Sequence, residues 1–354
     1  MTTPARIATS VLTGFLGSGK TTLLNRLLRD PRCKDAAVLV NEFGAIGIDH
    51  LLVRNVDENI LRTSTGCLCC AMRGDMIGTL RDLYARRQKR MVPRFKRMLI
   101  ETTGLADPAP ILHTLMKDPL IATRFRLDGV IAMVDAVNGS LQLEHQPESV
   151  KQAAMADRLL ISKTDLADAQ ATQALRVRLQ RLNPGARVFT VLHGEIDPSV
   201  LLDCGLYNPQ AKTPDVIAWL GAEAHYDPQR HAPHDLHHDN GIRSFCLTFD
   251  ASIAWPQFAD AFQALIDAHG ERVLRFKGLL DIAGEAAPIV VHGVQHLFHP
   301  PVALPAWPDA DRRSRLVVIT RGLDLQTLLN ALAPLAPRLY VKTGDRPGVP
   351  ARSV

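Results

Sequence analysis

The sequence predicts an α/β protein: a doubly wound, mainly parallel sheet followed by a smaller α+β domain. Three observations carry that prediction. Short apolar runs alternate with helical patterns through about residue 205, as parallel strands joined by crossover helices would. Between the first run and the first helix lies GFLGSGKTT, which fits G-x-x-x-x-G-K-[ST] at Gly14, Gly19, Lys20 and Thr21. Beyond a histidine-rich tract with little apolar periodicity, strand and helix patterns resume in a different order. The expected division is therefore 1–208 for a phosphate-loop domain, 209–240 for a His-rich linker and 241–354 for the α+β domain.

Ile7 to Leu12 reads as a short strand entering the loop, and Leu23, Leu24, Leu27 and Leu28 recur at helical spacing after it. The backbone from Gly14 to Thr22, through Gly17, Ser18 and Gly19, is then expected to cradle phosphate oxygens at a helix N-terminus. Lys20 would reach the terminal phosphates and the Thr21 hydroxyl would ligate magnesium. Asp30 and Pro31 stop the helix, and Ala36 to Val40 is an apolar run suited to a strand buried on both faces. It delivers Asn41 to Asp49, NEFGAIGID, which suits either a phosphate-sensing switch or an ordinary glycine turn.

Cys67, Cys69 and Cys70 follow in TGCLCC, ahead of a helix carrying Met76, Ile77, Leu80, Leu83 and Tyr84 on one face. Thiolates brought together at a loop-to-helix junction suit zinc or copper(I); a redox pair and a buried structural trio are the alternatives. Three cysteines leave a four-coordinate site one ligand short, which suits transfer better than permanent structure. Met98 to Ile100 leads into ETTGLADP, where Glu101 would hold magnesium through water and Gly104 would offer its N–H to the terminal phosphate. Pro108 and Pro110 suit the first turn of the next helix.

A strand from Gly129 to Val134 ends at Asp135, and another from Arg158 to Ile161 runs into Ser162, Lys163, Thr164 and Asp165. A carboxylate at Asp165 can accept from the N1–H and exocyclic amine of guanine while the Lys163 stem packs on the base. Adenine offers no such donor pair, so the nucleotide expected is GTP. Ala169 to Leu182 reads as a helix, Arg187 to Val191 as the last strand of the sheet, and His193 as a structural loop histidine near the base. In the second domain Ser244 to Phe249, Arg272 to Ile282, Ile289 to Val294 and Arg315 to Ile319 read as strands, with helices at Trp255 to His269 and Leu323 to Leu332. Arg275 and Lys277 in RFKG suit either a ligand contact or a strand and turn.

Composition bounds the rest. At 354 residues and 46% hydrophobic content, two cored domains are affordable, and no apolar run reaches transmembrane length. The N-terminus leaves no room for a signal peptide, so a cytoplasmic protein is expected, without membrane partners. The formal charge of +5 owes much to Arg86 to Arg97, whose single aromatic and central proline suit a solvated helix end rather than a nucleic-acid surface. The tract with His225, His231, His234, His237 and His238 reads equally as a loose metal tether or a solvated linker.

In the order GFLGSGKTT, NEFG, GCLCC, ETTGLADP, SKTD and HGEID, followed by RFKG and V-x-G-V-Q, the chain resembles the CobW-type GTPases over nearly its whole length. That group includes cobalamin-biosynthesis accessory proteins, nitrile hydratase activators and zinc metallochaperones. The resemblance implies a GTP-dependent metal-insertion protein in which Glu42 joins Cys67, Cys69 and Cys70 around zinc, or another transition metal such as cobalt, for delivery to a client metalloprotein. Two departures stand out: Val40 and Ala45 replace the outer glutamates of the family's E-N-E-F-G-E, and Ser162 stands where most GTPases carry asparagine. No water-positioning glutamine or histidine is evident, so intrinsic hydrolysis to GDP and phosphate should be slow. A GTP-switched metal buffer or sensor is the alternative reading, and a phosphate-loop small-molecule kinase a third.

Overall fold

A computed structural model describes residues 6–33, 35–40, 60–62, 72–202, 241–335 and 339–341. The expected switch segment from Asn41, the cysteines at 67, 69 and 70, and the His-rich tract lie outside the described residues.

Seven strands build the first sheet: β1 Ile7–Gly14, β2 Ala36–Val40, β3 Ile60–Arg62, β4 Arg97–Glu101, β5 Phe125–Asp135, β6 Arg158–Ser162 and β7 Arg187–Val191. Their order is β3-β2-β4-β1-β5-β6-β7, and every pairing is parallel. The apolar runs that predict β1, β2, β4, β5 and β6 are explained by burial on both faces, whereas β7 at the edge is mostly half-buried or exposed and β3 has no counterpart in the sequence reading. Successive residues point to opposite sides: Val11, Leu39, Ile100 and Ile161 join one core, while Leu12, Val38, Leu99 and Leu160 join another. Helix α1, Lys20–Arg29, closes the second core with Leu23, Leu24 and Leu27. The first is covered by α2 Met72–Gln88, α3 Ala109–Lys117, α4 Pro119–Arg124, α5 Gly139–His145, α6 Pro147–Ala154 and α7 Ala169–Leu182. Helices on both faces make the sheet doubly wound, and the carboxyl ends of β1, β4, β5 and β6 gather at one edge.

The second domain is an antiparallel sheet of β8 Ile242–Phe249, β9 Val273–Leu280, β10 Ile289–Val294, β11 Leu297–Phe298, β12 Val302–Ala303, β13 Ser314–Arg321 and β14 Leu339–Val341. The path is β11-β10-β9-β13-β8-β14, with β12 on β10. One face is covered by α8, Trp255–His269, and α9, Leu325–Ala331. Phe258 and Phe262 of α8 stack at 5.0 Å, and Phe262 meets Phe276 of β9 at 4.9 Å. The other face, through Cys246, Leu274, Leu279, Val290 and Ile319, merges with the first domain's core.

Every residue of β9 is buried, Arg275 and Lys277 included, and the pleat sends these two away from the Phe276 side. Both charges find Asp157, which follows α6: Arg275 forms a tight ion pair with its carboxylate, and Lys277 Nζ lies 2.9 Å from Oδ1. Arg275 also donates to the Met155 carbonyl, Lys277 to the Gly185 carbonyl at 3.3 Å, and Ser244 to the Leu182 carbonyl at 2.6 Å. RFKG thus serves domain docking; between ligand contact and structural strand, the strand reading holds. Histidines add to the seam, with His113 of α3 edge-on to His296 at 4.1 Å and His299 Nε2 3.1 Å from Met116 Sδ.

Burial by itself would raise the Asp157 carboxyl, but Arg275 and Lys277, with the Val130 N–H, hold it below the ordinary carboxylate range. Burial pushes Lys277 down to about 8, opposed by Asp157 and aided by Arg275. Because the folded value of Asp157 is depressed, its contribution is complete above the unfolded value of about 4 and is lost as pH falls through the lower folded value. Thermal unfolding followed from neutral pH downward should therefore show a limb of falling stability below about pH 4. Asp157→Asn should make that limb shallower and lower stability by about 3–5 kcal/mol at neutral pH, since it strands two buried cations.

Candidate functional site

The loop between β1 and α1 takes its shape from glycine. Gly14, Gly17 and Gly19 have φ of 139°, 72° and 95°, angles that side-chain-bearing residues rarely adopt. Gly14 is further constrained because a Cβ there would sit 2.4 Å from the Met133 carbonyl of β5. Lys20 opens α1 and is buried, its Nζ held by the Gly14 carbonyl at 2.8 Å and the Phe15 carbonyl at 3.0 Å. The ammonium is thereby pinned across the mouth of the loop. Ser18 Oγ is buried without a hydrogen-bond partner among the described residues, an opening that a phosphate oxygen fits.

Thr21 projects from the first turn of α1 toward β4, where its hydroxyl donates to Glu101 Oε1 at 2.8 Å. A hydroxyl and a buried carboxylate at this distance are a hard-oxygen pair suited to magnesium, one directly and the other through water. Thr102 N–H donates to the Leu12 carbonyl at 2.9 Å and Thr102 Oγ1 to Thr13 Oγ1 at 2.9 Å, locking β4 to β1 just below the site. Gly104 then passes so close to the loop that a Cβ there would lie 2.5 Å from Leu16 N.

At the base-facing end, Ser162 Oγ donates to the Ser18 carbonyl at 2.7 Å. A serine in the place of the usual asparagine therefore still ties this strand end to the phosphate loop. Lys163 adopts φ 56° and reaches back to Asp135 Oδ2 at 2.7 Å. Burial works to raise the Asp135 carboxyl, but Lys163, the Val137 N–H and Asn138 hold it below its ordinary value. It remains an anion that fixes the Lys163 stem. Asp165 has one carboxylate oxygen 3.9 Å from His193 Nε2. The His193-Gly194 turn rests on α1, where a Cβ on Gly194 would lie 2.9 Å from the Thr22 carbonyl. His193 is thus a loop residue beside Asp165.

Gly14, Gly17, Ser18, Gly19, Lys20, Thr21, Thr22, Glu101, Gly104, Ser162, Lys163 and Asp165 accordingly share one edge of the sheet. Cys67, Cys69, Cys70 and Glu42 lie outside the described residues. Among the described residues no three His, Cys, Asp or Glu converge as a metal site. In the basic stretch Phe95 is buried, with Arg87 stacked over its ring and donating to its carbonyl at 2.9 Å, which is a helix-end arrangement. Sequence reading assigned no role to Asp135, Gln152 or Asp157. The signal for Asp157 was the pair of cations in an all-buried strand, which demands a carboxylate somewhere. Gln152 belongs to no motif.

Fold and site define a phosphate-loop nucleotide-binding protein of the doubly wound α/β class. The chain belongs to the CobW/HypB/UreG family: residues 8–190 match its nucleotide-binding domain, and residues 242–336 match the cobalamin synthesis protein CobW C-terminal domain. Among its relatives, the zinc chaperone YjiA of Escherichia coli strain K12 is 33% identical over 93% of this chain and 98% of its own. The zinc chaperone CobW of Pseudomonas aeruginosa is 32% identical over 94% and 92%. The crystal structure of Zn(II)-bound YjiA GTPase from E. coli superposes with a TM-score of 0.69 at 30% identity, covering 94% of this chain and 99% of that one.

Gly104→Ala should lower stability in urea unfolding by about 1–3 kcal/mol, because the methyl must displace the Leu16 backbone rather than a pliable side chain. Gly17→Ala has open space around its Cβ, so its smaller loss should come from backbone angle alone.

Proposed function

We propose that this chain is a GTP-hydrolysing metallochaperone that couples nucleotide state to binding a transition metal, zinc foremost, and to delivering it to a client metalloprotein. The observation that carries the reading is the convergence of Lys20, Thr21 and Glu101 at the carboxyl edge of adjacent strands, with Asp165 at the same edge. Zinc enters by analogy with the zinc chaperones to which the chain is similar, and by the chemistry of a three-thiolate donor set. Cysteines crowded at 67, 69 and 70 stay thiols only in a reducing compartment, which supports a cytoplasmic protein. In this reading 1–208 is the nucleotide domain, 209–240 the linker and 241–354 the second domain.

Each residue then has a task. The loop N–H groups and Lys20 bind the β- and γ-phosphates and spread the charge that develops as water attacks the γ-phosphorus and the bond to the β-phosphate oxygen breaks. Thr21 and Glu101 would hold magnesium, which when bound neutralises phosphate charge. Gly104 offers its N–H to the γ-phosphate. Lys163, fixed by Asp135, lays its stem on guanine while Asp165 accepts from N1–H and the amine. No described residue is assigned as general base, in keeping with slow intrinsic hydrolysis.

Sheet register supports the coupling. Val40 of β2 is paired with Glu101, and Arg62 of β3 with Val40, so Arg62, Val40 and Glu101 form one row across the sheet. In the sequence Glu42 follows Val40, and the cysteines follow Arg62, within a few positions, and these two strand ends lie about 5–10 Å from Glu101.

Competition titration with a chelating indicator tests the proposal, run with GDP and with a non-hydrolysable GTP analogue. Zinc affinity should differ between the two states, and Cys69→Ala should lower it at least about tenfold, the loss that even an outer-shell partner causes. Equal affinity in both states would defeat coupling, since a ligand without differential affinity shifts nothing. Transfer to a client on hydrolysis separates a chaperone from a buffer. For the base, Asp165→Asn should weaken GTP by about 10- to 100-fold and favour xanthosine triphosphate, whose 2-carbonyl accepts from the new amide. Unchanged GTP affinity would remove Asp165 from the site.

A further inference from the structure

Helix α6 is bonded to two regions with different tasks. Near its end Gln152 is almost wholly buried, and its Nε2 donates to the Gly104 carbonyl at 3.1 Å and the Ala106 carbonyl at 3.0 Å. Beside it, Lys151 Nζ lies 2.8 Å from Asp107 Oδ2. The segment that would meet the γ-phosphate is thus fastened to α6 rather than to the sheet beneath it. Directly beyond, the chain runs through Met155 to Asp157, where Arg275 and Lys277 of β9 are bonded. Asn183 Nδ2 donates to the carbonyls of Ala153, Ala154 and Ala156 at 2.9, 3.0 and 2.9 Å, so the helix end moves with its surroundings as one piece.

Two further facts give Gln152 more than a packing role. Its Oε1 is buried without a hydrogen-bond partner among the described residues, which is an unstable place to leave an acceptor. The side chain therefore gives both donor hydrogens to one backbone segment and keeps an acceptor available for a second arrangement of it. Gly104 in turn packs against the Leu16 backbone of the phosphate loop with no room even for a Cβ between them. A change in Gly104 as its N–H meets or loses the γ-phosphate lies one residue's two torsions from the carbonyl that Gln152 holds.

We infer that Gln152 is a positioning residue: it sets Gly104 to Ala106 for the terminal phosphate and passes the difference between the GDP and GTP states along α6 to Asp157, Arg275 and Lys277. The second domain thereby reads the nucleotide. The inference rests on Gly104 as the γ-phosphate contact.

Hydrogen exchange on the full chain, with GDP and with a non-hydrolysable GTP analogue, tests it. In the wild-type protein, nucleotide-dependent protection is expected at Gly14 to Thr22, at Gly104 to Ala106, in α6 and in β9. In Gln152→Met, which keeps the bulk and removes the donors, the difference at the phosphate loop should persist while that in α6 and β9 falls about fivefold or more. Preference for the GTP analogue over GDP should fall about tenfold, with GDP affinity within about twofold of wild type. A merely structural glutamine would instead weaken both nucleotides together. Nucleotide-dependent exchange at the phosphate loop with none in α6 and β9 of the wild type overturns the inference while leaving the nucleotide site intact. An undiminished β9 difference in Gln152→Met overturns it likewise. No protection of the phosphate loop by either nucleotide, relative to the nucleotide-free chain, overturns the nucleotide site, and this inference with it. Should Gln152→Met fail to fold, the wild-type comparison decides alone.

Discussion

The buried carboxylate of Asp157 is the constraint on which the arrangement of this molecule depends. An isolated charge in that position would be too costly to bury, so Asp157 requires cations, and both come from one strand of the other domain. The result is directional in a way that apolar contact is not. The merged core brings the β8–β9–β13 face against the first domain over a broad area, but many rotations would bury similar area. Placing Arg275 and Lys277 on a single carboxylate, with Arg275 also reaching the Met155 carbonyl, narrows that choice.

That fixed junction lies at the end of the helix which fastens the segment after Glu101, so the domain seam and the candidate nucleotide edge are neighbours rather than separate regions. Their chemistry differs. Around the phosphates the edge is built of glycines and hydroxyls beside the pinned Lys20, and the glycine backbone can reorient around a phosphate at little cost. The seam is built of paired charges and packed rings, which tolerate a few discrete arrangements and resist intermediate ones. An adaptable site joined to a stiff seam suits converting a small change in phosphate contacts into a change of domain state.

Much of this was legible in the sequence, and what was legible had a local cause. The phosphate loop, the helix from Ala169 to Leu182 and the strand from Arg187 to Val191 were readable because periodicity and glycine placement are set by neighbours in the chain. Helices α4, α5 and α6 were missed, being short and interrupted by Pro119 and Pro147, so that no face repeats often enough to register. Asp157 and Gln152 were missed for a different reason: each acquires its meaning from partners about 120 and 48 positions away. Such pairs are products of topology, and no window of the sequence contains them. The lysine of Ser162-Lys163-Thr164-Asp165 was read for its stem, but the anion that steadies it, Asp135, ends a neighbouring strand and becomes visible only with the sheet order.

The replacement of the outer glutamates by Val40 and Ala45 acquires a meaning from the same register. Val40 sits in the row beside Glu101, and a carboxylate there would set two anions on adjacent strands at the carboxyl edge. Like charges so placed raise one another's pKa and compete for the same cation. Valine removes that competition, leaving Glu101 with Thr21 as the oxygen pair suited to magnesium. The absence of a carboxylate at position 40 is thus a gain in definition on the nucleotide side. On the function proposed above, the transition metal would then rely more heavily on sulfur, which favours zinc over harder ions and makes its affinity steeply dependent on thiol deprotonation. Restoring the carboxylate with Val40→Glu should then broaden metal preference toward cobalt and nickel while weakening magnesium-dependent GTP binding. Indicator titrations of the two metals and nucleotide affinity at graded magnesium would read both effects, and a gain in one without a loss in the other would separate the two sites.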